Sequence, residues 1–217
     1  VVAQGADLGI ALDGDGDRLV MVDHLGRLVD GDRLMYVIAL DRHAQGALQG
    51  PVVGTVMSNL GLEQKLQAEG VEFLRAKVGD RYVLAMLKEH GGVLGGETSG
   101  HLLCLDRTTT GDGLISALEV LAVMKRTGRP LAELVAGMPK LPQVMINVRV
   151  KQRIDLSKSQ AIQDAVKRVE EGLGTTGRVV LRASGTEPLL RVMIEAQEEA
   201  VASRYAHGRA EVVRAAI

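Results

Sequence analysis

"PVVGTVMSNLGLEQKLQAEGVEFLRAK", Pro51 to Lys77, is the stretch on which the reading of the fold turns. It opens on "PVVGTVM", apolar and β-rich, a run of the kind that makes a buried strand. Ser58 then offers a hydroxyl to cap a helix through Lys65 to Ala68, and Gly70 ends it. "VEFLRAK" is the next strand. Downstream, Asp80 starts the helix "RYVLAMLKEH", which Gly91 and Gly92 stop. "VLGGE" and "HLLCLD" are short strands around a glycine-rich turn. Asp112 caps a long helix through Lys125 that Gly128 terminates. Upstream, "GDRLMYVIALDRH" has helical periodicity, with Leu34, Met35 and Ile38 on one side. Before it, "LGIAL" and "RLVMVD" are strands either side of an acidic loop. Strand and helix in alternation predict an α/β layer architecture with a mostly parallel sheet.

Near residue 139 the texture changes. "GMPKLPQ" holds two of the five prolines and reads as a linker. After it come the strand "VMINVRV", a helix from about Ser157 to Glu171, the strands "GRVVLR" and "LLRVMIEA", and a final helix. That order, β-α-β-β-α, is a small α+β module.

The chain has 217 residues, 46% hydrophobic and 24% charged, the composition of a soluble globular protein. A formal net charge of −1 gives no field that favours nucleic acid or an anionic membrane as a partner. No apolar run is long enough to span a bilayer and no signal peptide is visible, so a cytoplasmic location is expected. The single cysteine, Cys104, excludes an internal disulfide framework, fits a reducing compartment and reads as a small buried apolar residue. The chain opens on Val1 rather than methionine, and the expectation is that it is a piece of something longer.

Three polar loops carry the chemistry. In "DGDGDR", Asp13, Asp15 and Asp17 alternate with glycine, and along an extended chain they would converge on one side. Hard oxygens clustered this way suit Mg²⁺ or Ca²⁺. An EF-hand is excluded, since its sixth position would be Arg18 rather than glycine and its twelfth His24 rather than glutamate. Arg18 beside a cation site suggests an anion shared between them, most simply a phosphate; an Asp-Gly hairpin turn is the plainer alternative. In "GGETSGH", Glu97, Ser99 and His101 alternate as well, a set suited to sugar hydroxyls and, through the imidazole, to moving a proton. A glycine-rich turn bonded to its own backbone is the competing reading there. In "LRASGTEPLLR", Arg182, Ser184 and Thr186 surround Gly185 in a turn between strands and would make an anion nest. Neither a nucleotide P-loop nor a dinucleotide fingerprint occurs. A cation, a polyhydroxylated substrate and a phosphate together favour an enzyme of phosphorylated sugars.

"DGDGDR", "GETSGH" and "RASGTEP", in this order, resemble the metal-, sugar- and phosphate-binding loops of the α-D-phosphohexomutases. "GTVMSNLGLE", "KVGDRYV" and "TTGDG" resemble the branch that interconverts glucosamine 6-phosphate and glucosamine 1-phosphate. The resemblance covers essentially the whole chain and implies a tail of the family's second domain over 1–27, the α/β third domain over 28–139 and the α+β fourth over 140–217. It implies that Asp13, Asp15 and Asp17 hold Mg²⁺, that Arg18 sits beside the phosphate in transfer, and that Lys77 is a cleft lysine. It further implies that Glu97 and Ser99 hold sugar hydroxyls, with His101 near the reacting oxygen. Arg182, Ser184, Gly185 and Thr186 would grip the phosphate that does not move. Thr98 stands where the family usually has glutamine, and Ala183 where proline is usual. The family's phosphoserine segment, of the type S-H-N-P, has no counterpart here, and Ser58 in "MSNLG" lacks its histidine and proline. The expected function is a covalent relay in which that serine, lying before Val1, passes phosphate to the sugar through a 1,6-bisphosphate. The piece alone is expected to be inactive, and a homodimer is the family's precedent. A sugar-phosphate or Mg²⁺ binding protein without turnover, or a glucose- or mannose-phosphate mutase of the same superfamily, are the alternatives.

Overall fold

The computed structural model describes residues 1–150, 159–183 and 188–215, and within them the chain divides into two compact units, Val1–Pro139 and Lys140–Ile217.

The first unit begins with an antiparallel hairpin, β1 (Leu8–Leu12) and β2 (Leu19–Asp23), in register Leu12↔Leu19 to Leu8↔Asp23. A two-residue strand, β3 (Leu28–Val29), adds to β2. The turn into it is tied by Asp23, whose carboxylate accepts the Leu25 and Arg27 N–H groups at 2.9 Å and pairs with the Arg27 guanidinium at 2.8 Å. Helix α1 (Gly31–Ala44) follows, capped by Asp30, which accepts from the Arg33 N–H. It buries residues on more than one face, Leu34, Met35, Val37 and Ile38 among them, because it is packed between other elements.

The main sheet has strand order β5-β4-β6-β7, built from β4 (Val52–Thr55), β5 (Phe73–Ala76), β6 (Leu94–Gly96) and β7 (Leu102–Cys104). β4 pairs parallel with both β5 and β6, and β7 closes the edge antiparallel. The all-buried "VVGT" of β4 is what a central parallel strand requires. Helices α2 (Leu60–Ala68), α3 (Asp80–His90) and α4 (Gly113–Thr127) supply the crossovers and flank, and a single turn, α5 (Leu131–Leu134), ends the unit. α4 is delimited as its sequence predicts: Asp112 accepts the Ile115 N–H at 2.9 Å, and Gly128 takes the left-handed cap at φ 67°. The thiol of Cys104 is buried, and burial pushes it up to about 11.

α2 departs from expectation. Its cap is Asn59, whose side chain accepts the Gly61 N–H at 3.0 Å. Ser58 instead turns inward, and its buried hydroxyl accepts the Thr55 N–H at 3.0 Å, closing the chain behind β4. Asn59 has the extended backbone a cap needs, and Gly61 lies against the Pro139 carbonyl, where a Cβ would come within 1.8 Å. The short elements β3 and α5 carry no periodicity and were not foreseen from the sequence.

The second unit is a three-stranded antiparallel sheet, order β8-β10-β9, with β8 (Gln143–Arg149), β9 (Gly177–Ala183) and β10 (Leu189–Ala196). Helices α6 (Gln160–Leu173) and α7 (Glu199–Ala215) pack on it and on each other. Glu195 of β10, fully buried, is the register partner of both Gln143 and Arg178. It accepts from Gln143 at 2.6 Å and pairs with the Arg178 guanidinium, so the charge does not stand alone.

Candidate active site

Glycine backbone fixes the acidic turn. Gly16 takes φ +72°, its N–H reaching the Asp13 carbonyl at 3.2 Å, and residues 13–17 form a tight turn instead of an extended run. Simple alternation therefore does not set the carboxylates. Asp13 and Asp17, the two ends of the turn, are brought into contact, while Asp15 lies exposed at its tip. The Arg18 N–H donates to Asp13 at 3.3 Å, and the Arg18 guanidinium lies 3.8 Å from the same carboxylate. Desolvation opposes the charge on Asp13, but the Arg18 N–H, the contact with Asp17 and the Arg18 charge together hold it below the ordinary carboxylate range.

A second loop is docked on this turn. Arg18 and His101 form an isolated antiparallel bridge, and the Leu19 N–H donates to the Gly100 carbonyl at 3.1 Å. The approach depends on Gly100, at φ +95°, where a Cβ would lie 2.0 Å from the Leu19 carbonyl oxygen. His101 is buried, its Nδ1 3.1 Å from the Asp17 carboxylate. Its Nε2 has no hydrogen-bond partner among the described residues and faces Gly111, where a Cβ would sit 2.2 Å away. Gly113 completes the seat: its N–H donates to the Gly16 carbonyl at 2.9 Å at the start of α4. The glycines of "TTGDG" thus hold the acidic turn and the histidine together, a function that no sequence argument had assigned to them.

Glu97 and Lys77 lie at the carboxyl ends of parallel strands, just after β6 and β5, where open α/β sheets bind ligands. Glu97 accepts the Gly79 N–H at 3.0 Å and so ties the two strand ends together. Lys77 is exposed, its Nζ 5.9 Å from the centre of the Tyr82 ring, and Ser99 is exposed on the turn between Glu97 and His101.

Behind that turn lies Asp32, fully buried. Its Oδ2 accepts the Asn59 N–H at 2.8 Å and the Thr98 hydroxyl at 2.9 Å. The Gly31 N–H donates to the Thr98 carbonyl at 3.1 Å. Burial, reinforced by the nearby Asp30 charge, pushes the Asp32 carboxyl up to about 6 against the hydrogen bonds that favour its charge. Asp32 lay hidden in a helical pattern; an acid in the first turn of an otherwise buried helix was the available signal.

In the second unit Arg182 is on β9, directly opposite Arg191 of β10. That register places a second guanidinium-bearing residue, Arg191, directly beside Arg182. Ser184, Gly185 and Thr186 fall outside the described residues.

The donor chemistry of the acidic turn, oxygen ligands only, suits a hard divalent cation. No group of three or more His, Cys, Asp or Glu side chains is gathered for a metal among the described residues. The largest cavity described, about 1050 Å³, is lined by Asp7, His24, Met124 and Arg129 among others and touches none of the three loops.

Residues 30–141 match the family model of the phosphoglucomutase/phosphomannomutase α/β/α domain III, and residues 145–212 that of the C-terminal domain. The phosphoglucosamine mutase of Methylococcus capsulatus is 60% identical over 92% of this chain and 44% of its own length. That of Thioalkalivibrio sulfidiphilus is 57% identical over 99% and 48%. The chain spans about half the length of the curated relatives it matches. Among solved structures, a phosphoglucomutase/phosphomannomutase family protein of Burkholderia thailandensis superposes with a TM-score of 0.79 at 25% identity, over all of this chain and 49% of the other. An N-acetylphosphoglucosamine mutase of Aspergillus fumigatus, in complex with GlcNAc-6P and magnesium, gives 0.78 at 24% identity, over 97% and 49%. Among the described residues no helix is long and apolar enough to cross a membrane.

Proposed function

Because this chain belongs to the phosphoglucomutase/phosphomannomutase family, we propose that it is the sugar- and phosphate-binding part of a phosphoglucosamine mutase, converting glucosamine 6-phosphate to glucosamine 1-phosphate through a phosphoserine and a 1,6-bisphosphate. The observation that carries this reading is the junction of Arg18, Asp17 and His101, which joins the acidic turn to the "GETSGH" loop.

Asp13, Asp15 and Asp17 would hold Mg²⁺, which screens negative charge on a phosphoryl group. Arg18, half-committed to Asp13 at 3.8 Å, is free to swing its guanidinium to the phosphoryl oxygens during transfer. Asp17 orients the His101 ring through Nδ1 and so holds an imidazole beside the acidic turn, where it would lie near the reacting oxygen. Glu97 and Ser99 hold sugar hydroxyls, with Glu97 kept in place by the Gly79 N–H, and Lys77 supplies positive charge at the same strand ends. Arg182, with Ser184, Gly185, Thr186 and the facing Arg191, holds the phosphate that does not move. No serine segment of the S-H-N-P type occurs in this sequence, so the phosphate carrier is a residue outside it.

The test joins this chain to the amino-terminal portion of the Methylococcus capsulatus relative. The fusion is expected to turn over glucosamine 6-phosphate faster than glucose or mannose 6-phosphate, and the chain alone is expected to turn over none. A folded fusion inactive on glucosamine 6-phosphate, or one that prefers glucose, overturns the reading.

A further inference from the structure

Asp32 stands in the first turn of α1, yet the helix does not need it as a cap: that place is taken by Asp30, which accepts the Arg33 N–H at 3.2 Å. A carboxylate with no exposed surface is costly to keep in a fold. Here the cost is only partly offset, since Oδ1 has no hydrogen-bond partner among the described residues. The ties run through Oδ2, which accepts the Asn59 N–H at 2.8 Å and the Thr98 hydroxyl at 2.9 Å. Asn59 ends the turn after β4, and Thr98 lies just past β6, the strand that pairs parallel with β4. One oxygen therefore pins two loops at the carboxyl edge of the sheet to the start of α1, and that edge is where open α/β sheets bind ligands.

Gly31 completes the attachment. Its N–H donates to the Thr98 carbonyl at 3.1 Å. A Cβ on Gly31 would lie 2.1 Å from the Glu97 carbonyl oxygen and 2.8 Å from the Gly100 nitrogen, so the helix start is pressed against the loop. Thr98 is thus held by both its side chain and its carbonyl. The loop is also closed on itself: the Gly100 N–H donates to the Glu97 carbonyl at 2.9 Å, and the Glu97 N–H to the His101 carbonyl at 3.0 Å. Glu97 and Ser99 flank Thr98, and in so short a closed turn they are placed by whatever places Thr98.

We propose that Asp32 is a positioning residue for substrate: through the Thr98 hydroxyl it fixes the turn over residues 97–101, so that Glu97 and Ser99 meet the sugar hydroxyls in one geometry. The proposal rests on the reading of Glu97 and Ser99 given above. Asp32 itself touches no substrate. Its contribution is to order the turn before the sugar arrives, which removes an ordering cost from binding. Contacts to hydroxyls that do not react are made alike in the bound substrate and the transition state, so their loss belongs in KM and not in kcat.

Two measurements keep this inference separable from the reading beneath it. Hydrogen–deuterium exchange of the chain itself, read by mass spectrometry, reports the order of the turn without catalysis. Thr98→Val keeps the shape of the side chain and removes the hydroxyl. Peptides covering residues 95–103 should then exchange about tenfold faster, with those of α4 unchanged, and Thr98→Ser should restore the protection. In the fusion enzyme Thr98→Val should raise KM for glucosamine 6-phosphate about tenfold, the scale of one hydrogen bond to a charged group, with kcat within about threefold. Asp32→Asn retains an accepting oxygen and should hold KM within about threefold of wild type, whereas Asp32→Ala should match Thr98→Val. Unchanged exchange in Thr98→Val overturns the proposal. So does an active fusion in which Thr98→Val leaves KM unaltered or lowers kcat alone. A fusion inactive on the sugar phosphate, beside faster exchange in Thr98→Val, upholds the tie from Asp32 to the turn and overturns the mutase reading instead.

Discussion

Asp17 is the residue on which the proposed chemistry turns, because one carboxylate touches both Asp13 and His101. Asp17→Asn should lower kcat of the fusion enzyme by about a hundredfold or more, the scale of losing an orienting group and a charge at a transferring phosphate, with a much smaller change in KM. Steady-state kinetics decides it; a kcat within a few-fold of wild type would remove Asp17 from the site. Asp32 makes a different prediction. Its folded-state value of about 6 lies above the ordinary 3.8, so its favourable contribution is complete below about pH 4 and lost as pH rises through 6. The loss is about 3 kcal/mol in all. Urea unfolding between pH 4.5 and 7.5 should therefore fall more steeply for wild type than for Asp32→Asn. Equal slopes would mean that the buried carboxyl is not what titrates.

At the scale of the element, the loops are positioned by atoms that are missing rather than present. A methyl group on Gly111 would strike the His101 ring, and one on Gly100 would strike the Leu19 carbonyl. Gly111→Ala should thus cut kcat while substrate affinity at Glu97 and Ser99 survives, and Gly100→Ala should cost about 2 kcal/mol or more, since φ +95° and a clash act together. Unchanged kinetics in the first variant, measured beside intact far-ultraviolet dichroism, would show that His101 does not depend on that seat. Caps were more legible than contacts. Asp112 was readable because an acid before an apolar helical run has few other uses, whereas the choice between Ser58 and Asn59 was not, since both are competent caps. Packing of Ser58 behind β4 decided between them.

Across the whole molecule, the two units are assigned separable tasks: phosphoryl transfer chemistry in the first and a grip on the resting phosphate in the second. Arg182→Ala should accordingly raise KM of the fusion several-fold or more, with kcat less affected. A pure kcat defect would contradict the division. The hairpin of the first unit also presents an apolar edge: β1 has no strand on its outer side among the described residues, and Ile10 and Leu12 are each 45% exposed. Such an edge invites association. Ile10→Lys/Leu12→Lys should make the chain less prone to aggregate, as read by light scattering at matched concentration, and no change would mean that the edge is not the sticky surface.

The sequence by itself determined the order and kind of the long elements, the glycine stops and the Asp112 cap, because these depend on residues within a few positions of one another: "LLRVMIEA" is a strand and Asp112 begins a helix wherever the rest of the chain goes. It also suggested a chemistry for the three loops, which is the one proposed above. Only the tertiary structure decided what meets what. That Asp17 reaches His101, that Asp32 lies buried beneath Thr98, that Gly111 and Gly113 make the seat and that Arg209 of α7 donates to the Ile162 carbonyl of α6 are contacts between residues remote in sequence. Their physical basis is close packing, in which the space left by every other side chain selects the partner, and no local pattern records that space.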